Sequence, residues 1–157
     1  MTTINAQAQD GKATTEKKTF SRETTVSINI NASKSIIWTL LTNADDYPRW
    51  NSTIISIEGD ITEGEKIKLK STLDEKRTFK LKVKELTIER RLVWGDGKGE
   101  RVFTLESAGN NVQFTMTEKI GGFMFPLYGK YIPPFDESFE QFASDLKREA
   151  ETIEQGK

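Results

Sequence analysis

The stretch from Pro134 to Gln155 constrains this chain most. Phe135, Phe139, Phe142, Leu146, Ala150 and Ile153 fall at the i, i+4, i+7 spacing of one helical face. The opposite face carries Asp136, Glu137, Glu140, Asp145, Arg148 and Glu151. Pro134 suits the first helical position, where no N–H partner is needed. Asp136 and Glu137 suit the positive end of the helix dipole, and Lys147 and Arg148 lie towards the other end. Gly156 is the expected stop. A helix of this length runs roughly 30 Å at about 1.5 Å per residue. Its aromatic stripe requires an apolar surface to receive it.

The chain before it supplies that surface. Met1 to Lys18 is polar and without period, and reads as a disordered tail ahead of a domain at 19–157. A strand follows, with Phe20, Val26, Ile28 and Ile30 on one parity, an alternation weakened by Arg22 and Thr24. Ser33 is a good N-cap for a short helix holding Ile36, Ile37, Leu40 and Leu41, and 47–50 reads as one more turn. From Asn51 to Ile120 the period is two, with strands near 52–58, 65–71, 77–85, 90–95, 100–107 and 111–120. Their inward sets include Ile55 and Ile57, Ile67 and Leu69, Phe79, Leu81 and Val83, Leu92 and Trp94, Phe103 and Leu105, and Phe114 and Met116. Gly121 to Ile132 then breaks the period with apolar, aromatic and glycine residues. It reads first as a buried linker or short helix over the sheet edge, because so much apolar surface is rarely left exposed. A mobile lid over a ligand site is the second reading. Pro133-Pro134 should end any turn before the long helix, since proline disfavours helical geometry in the residue ahead of it.

Composition removes several chemistries. With no cysteine and no histidine among 157 residues, disulfides, Cys nucleophiles, Ser-His-Asp triads and most zinc sites are excluded. The net charge of −1 gives no electrostatic reason to expect nucleic acid. No apolar run spans a bilayer and residues 1–18 hold no secretory h-region, so a cytoplasmic location is expected. The Gly95-Asp-Gly-Lys-Gly99 run lacks the strand-to-helix context of a phosphate loop and reads as a hairpin turn.

The run Ala32-Ser-Lys-Ser-Ile-Ile-Trp38 through Tyr47-Pro-Arg-Trp50-Asn51 closely resembles the opening of the START-like (SRPBCC) superfamily, in its polyketide cyclase/dehydrase-like branch. Arg91 to Trp94, Gly99 to Glu106, and Phe114 to Glu118 followed by Gly121 resemble that branch's middle and last strands. The resemblance implies the Bet v 1-like helix-grip fold, of class α+β. In it a seven-stranded curved antiparallel sheet, with two short helices, grips a long C-terminal helix around an apolar cavity. It also implies binding or transport of small hydrophobic molecules such as lipids or polyketides, with cyclisation or dehydration in some members. Two departures matter: position 101, often His in relatives, is Arg, and Pro133-Pro134 interrupts a region that is often continuous helix.

Register narrows the site. Two-residue turns at Gly109-Asn110 and Gly97-Lys98 set Arg101 opposite Glu118 and Trp94 opposite Arg101, all on the inward parity. Such a row lets Arg101 stack on Trp94 and bond a carboxylate. It is either a paired charge at the sheet rim or an anchor for an acidic or carbonyl group. The candidate binding set is Trp94, Arg101 and Glu118 with Phe79, Leu81, Phe103, Met116, Phe135, Phe139 and Phe142. No catalytic residue is assigned, and no cofactor or metal is expected. The leading expectation is a binding or transport protein for a small hydrophobic or weakly acidic molecule. The first alternative is a cyclase or dehydratase using Glu, Arg and Tyr, since burial can raise a carboxylate towards neutrality. The second is a surface adaptor. If Ile67, Leu69, Leu81 and Val83 point inward, then Lys66, Lys68, Lys70, Lys80, Lys82 and Lys84 point outward. Pairing 69 with 81 would set Lys68 opposite Lys82, on a face for an anionic membrane or polymer.

Overall fold

The computed structural model describes residues 10–157. The described residues form eight strands. They are β1 (Ala13–Lys17), β2 (Ser21–Ile30), β3 (Ile54–Glu58), β4 (Lys66–Ser71), β5 (Asp74–Thr87), β6 (Arg91–Gly95), β7 (Gly99–Ala108) and β8 (Asn111–Gly121). The helices are α1 (Lys34–Thr42), α2 (Tyr47–Trp50), α3 (Phe125–Tyr128) and α4 (Asp136–Gln155). The strands form one antiparallel sheet in the order β1-β2-β8-β7-β6-β5-β4-β3. The α+β helix-grip architecture is therefore as expected, with one strand more.

That extra strand is β1, which falls in the stretch expected to be a tail. Residues 1–9 of that stretch lie outside the described residues. Ala13 to Lys17 pair with β2, and β1 is tied to α4 as well: Glu140 accepts the Ala13 N–H at 2.9 Å, and Asp136 accepts the Thr15 hydroxyl at 2.7 Å. A polar sequence forms a strand here because its partners are polar too, so no apolar period marks it.

Three further expectations are corrected. α4 starts at Asp136 with Phe135 as its cap, so Pro134 lies outside it. The break at Pro133-Pro134 is otherwise as expected, since a turn of 3-10 helix at Gly129–Tyr131 ends before it. In β3 the buried pair is Ile54 and Ile57, and Ile55 is exposed, because a bulge between Ile54 and Ser56 switches the parity. In the β4–β5 hairpin Leu69 faces Phe79 and Ile67 faces Leu81, two residues from the expected pairing. A shift of two preserves faces, so all six lysines remain on the outer side, with Lys66 opposite Lys82 and Lys68 opposite Lys80.

The core lies between the sheet and α4. Phe139, Phe142, Ala143, Leu146 and Ala150 are buried, and only Ile153 of the stripe is partly open. Phe142 sits at the centre: its ring stacks on Phe114 at 6.3 Å and meets Phe103, Trp50 and Tyr47 within 6.2 Å. Ser33 caps α1 by accepting the Ile36 N–H. Asp145, expected on the solvent face, is only 1% exposed. One of its oxygens accepts the N–H and hydroxyl of Ser52 at 2.8 and 2.7 Å, and the other accepts from Gln141 and Arg148. Burial pushes the Asp145 carboxyl up, and the bonds from Ser52, Gln141 and Arg148 more than reverse this, leaving it below its ordinary value.

Candidate functional site

Two tight turns build the site. Asp96 accepts the N–H groups of Lys98 and Gly99 at 2.8 and 3.1 Å, which closes the β6–β7 hairpin and sets Trp94 opposite Arg101. The Gly109-Asn110 turn pairs Ala108 with Asn111, and the register runs from there to Arg101 opposite Glu118. The row Trp94, Arg101, Glu118 thus forms as counted from the sequence.

The side chains refine it. Arg101 Nε donates to Glu118 Oε1 at 2.8 Å, with the two side chains 11% and 18% exposed. The guanidinium lies 4.9 Å from the centre of the Phe139 ring, not on Trp94. Trp94 instead meets Phe103 edge-on at 4.7 Å. The terminal nitrogens of Arg101 bond no group among the described residues.

A second arginine, Arg22 on β2, faces the same end of the sheet and is buried. Its terminal nitrogens donate to the carbonyls of Ile132 and Pro133 at 3.2 and 2.7 Å, and its guanidinium lies 4.7 Å from the Phe135 ring centre. Burial pushes the Arg22 guanidinium down, against the charges of Asp136 and Glu118. Arg22 therefore pins the end of the β8–α4 connection to the sheet. The sequence signal was present: an arginine on the apolar parity of β2, and two prolines that lack N–H groups. The anchor at the other end of the connection is Phe125, whose ring packs against bare Gly129, where a Cβ would come within 3.0 Å of it.

Between sheet and connection lies a cavity of about 210 Å³. Phe79, Leu81 and Trp94 form its apolar wall, Arg101 and Glu118 its polar floor, and Tyr128, Tyr131, Ile132 and Phe135 its roof. Six of the ten candidate residues thus meet around one space: Trp94, Arg101, Glu118, Phe79, Leu81 and Phe135. The other four, Phe103, Met116, Phe139 and Phe142, do not line it; all are at most 1% exposed and belong to the core. The reason is that α4 fills the volume over the middle of the sheet, and the hollow lies where the connection replaces the helix. Sequence reasoning missed Arg77, whose guanidinium lies 4.7 Å from the Phe79 ring centre at the mouth, and the roof tyrosines.

The connection itself corrects the first expectation for 121–132. Phe125 is buried, but Phe123 is 87% exposed, Leu127 65% and Tyr131 76%. The segment is a cover with an apolar outer side.

A curved antiparallel sheet around a long terminal helix, with a hollow at one end, defines the START-like (SRPBCC) class, as the sequence motifs indicated. Within that class the chain belongs to the Activator of Hsp90 ATPase homolog 1-like family, whose model matches residues 31–151. A START superfamily protein from Mycobacterium smegmatis is similar at TM-score 0.61 and 15% identity, covering 83% of this chain and 98% of that one. DynU16, a protein of the dynemicin biosynthetic locus, is similar at TM-score 0.64 and 17% identity, over 83% of this chain and 47% of its own. The Aha1 dimer from Colwellia psychrerythraea is similar at TM-score 0.58 and 20% identity, over 86% and 98%. At these identities the likeness is one of fold. No curated protein matches the chain.

Proposed function

We propose that this protein binds a compact, mostly apolar molecule carrying one hydrogen-bond acceptor, held in the end cavity with its acceptor towards Arg101. The observation behind this is the pairing of an aromatic wall with an arginine whose terminal nitrogens bond no described residue. Glu118 fixes the guanidinium through Nε and leaves those nitrogens to donate. The cavity is smaller than the roughly 300 Å³ at which drug-sized sites begin. It therefore suits one or two fused rings, such as a polyketide fragment, better than a sterol. Because Arg101 is already neutralised by Glu118, a carbonyl serves as well as a carboxylate. The expected location is cytoplasmic; no helix among the described residues is long and apolar enough to cross a membrane.

Trp94 reports the test, because it lines the cavity and is 2% exposed. Naphthoic acid, naphthaldehyde and naphthalene are titrated against the parent, Arg101→Met and Leu81→Trp, with Trp94→Phe identifying the signal. The expected result is saturable quenching by the first two ligands. It should weaken about tenfold in Arg101→Met, the worth of one hydrogen bond to a charged group, and vanish when Leu81→Trp fills the space. Absence of saturable binding by all three, or affinity indifferent to Leu81→Trp, overturns the proposal.

The cyclase or dehydratase alternative draws on the same row, and its acid–base inventory is limited. Glu118 is engaged by Arg101, and the Tyr128 hydroxyl donates to the Gly121 carbonyl at 3.3 Å. Turnover of a linear polyketide mimic that is lost in Glu118→Gln would favour it. The adaptor alternative rests on the outer lysines of β4 and β5, of which Lys84 already pairs with Glu100 at 2.7 Å.

A further inference from the structure

Three chain segments meet at the cavity end of the sheet. The Phe20 carbonyl accepts the Gly122 N–H at 3.0 Å, which joins the β1–β2 hairpin to the connection. The Lys98 carbonyl accepts the Gly121 N–H at 2.9 Å, which joins the β6–β7 turn to the same point. The Lys98 ammonium lies 5.5 Å from the centre of the Tyr128 ring. At this one end stand Phe20, Phe123, Met124, Leu127 and Tyr131, each more than half exposed. Elsewhere among the described residues only Ile88 is a large apolar side chain left more than half exposed, with Ile55 and Ile153 at little over a third, and the three are scattered singly. A cluster of this kind marks a docking surface, whereas single exposures do not.

Charge decides what docks. A groove of about 600 Å³ between the hairpin and the connection is lined by Lys17, Lys18, Lys130 and Arg22, with Asp136 its one carboxylate. Asp136 keeps its charge while accepting the Thr15 hydroxyl, so the groove sets four cations against one anion. Lys98 flanks the cluster on the other side, its ammonium against the Tyr128 ring and its turn shared with the carboxylate of Asp96. Glu16 approaches Lys18 only to 3.8 Å, with both side chains mostly in water. Apolar tips ringed by lysines match a surface that is apolar beneath and anionic at its face. A second copy of the chain fits poorly, since a two-fold contact sets the patch against itself and brings the lysines of both copies together.

We infer that this end of the molecule docks on an anionic lipid surface, with Phe123 and Leu127 entering the acyl boundary and Lys17, Lys18, Lys98 and Lys130 lying among the headgroup phosphates. The face is distinct from the lysine-bearing outer side of β4 and β5. The inference stands independently of what the cavity holds.

The test is co-sedimentation of the full chain with vesicles of phosphatidylcholine alone and with 30% phosphatidylserine. The expected result is binding to the anionic vesicles, reversed by high salt. Phe123→Ser with Leu127→Ser should lower the partition coefficient about tenfold or more, and Lys17→Ser with Lys18→Ser and Lys130→Ser should lower it about a hundredfold, at roughly fivefold per lysine near such a surface. Both sets change exposed residues, and an unchanged Tm establishes that the fold persists. Lys66→Ser with Lys68→Ser and Lys80→Ser, on the outer sheet face, should leave partition unaltered. Three results overturn the inference: no binding to anionic vesicles, loss of binding only in the outer-face set, or parent dimers that Phe123→Ser with Leu127→Ser converts to monomers without changing partition.

Discussion

The two ends of this molecule are built on different principles. At the closed end, α4 fills the space over the sheet, and its carboxylates reach across to neighbouring backbone. Glu151 accepts the Asn31 N–H, Glu154 that of Ser33, and Asp145 that of Ser52. At the other end the β8–α4 connection spans the sheet on few fixings, chiefly the Phe125 ring and the two Arg22 bonds. It leaves a hollow below and apolar side chains above. Packing and hydrogen bonding are concentrated at one end, and a hollow with exposed apolar surface lies at the other, a difference from which local stability generally follows.

The two ends should respond to substitution to different degrees. Phe142→Ala, at the closed end, should destabilise by about 3–5 kcal/mol in urea unfolding, because it empties the centre of the aromatic cluster. A loss below about 1 kcal/mol would mean that the core repacks and the contrast is overstated. Asp145→Ala should cost about 2–3 kcal/mol, the usual range for bonds to a charged acceptor.

The pH dependence follows from the same group. Asp145 and Glu151 are held below their ordinary values, so the stability they contribute is full above the unfolded carboxyl range, about 3.9 to 4.3. It is lost as pH falls through the folded values. Asp145→Asn should therefore be less stable than the parent at pH 7 and flatten the acid limb of Tm against pH below about 4. An unchanged acid limb would remove Asp145 from the closed end's anchoring.

Effects should be smaller at the open end. Glu118→Ala should destabilise by about 1–2 kcal/mol, because the cavity lets water reach the freed Arg101 guanidinium. A loss of about 3–5 kcal/mol would mean that the pair is sealed as a buried ion pair is. Phe123→Ser with Leu127→Ser should change stability by no more than about 0.5 kcal/mol per site. A larger effect would show the connection to be part of the core.

The same division governs what the sequence revealed. The meander, its turns and the row Trp94-Arg101-Glu118 followed from counting, since parity and turn length fix register. The β3 bulge defeated counting because one extra residue reverses faces without any sequence mark. β1 escaped because Ala13 to Lys17 alternate no apolar residues. Asp145 resembled a solvent residue by its helical angle, and only the fold brings Ser52 to it. The cavity walls were legible as inward aromatics, but which of them face a void depends on where α4 begins. Pro133-Pro134 marked the break without marking that helix resumes only at Asp136.

The pairing of β2 with β8 has a consequence for how the protein is made. Strands β3 to β7 each meet the next strand in the chain, so local hairpins can form as the ribosome delivers them. β2 has no such neighbour on its inner side: Ile30 must wait for Val112, and Ser21 for Gly121. At roughly 5–20 residues per second that interval is on the order of ten seconds. Throughout it Val26, Ile28 and Ile30 lie on a strand that has β1 on its outer edge and nothing on its inner one. The slow, non-local closure of the sheet is thus the step at which a nascent chain is most open to pairing with the wrong edge.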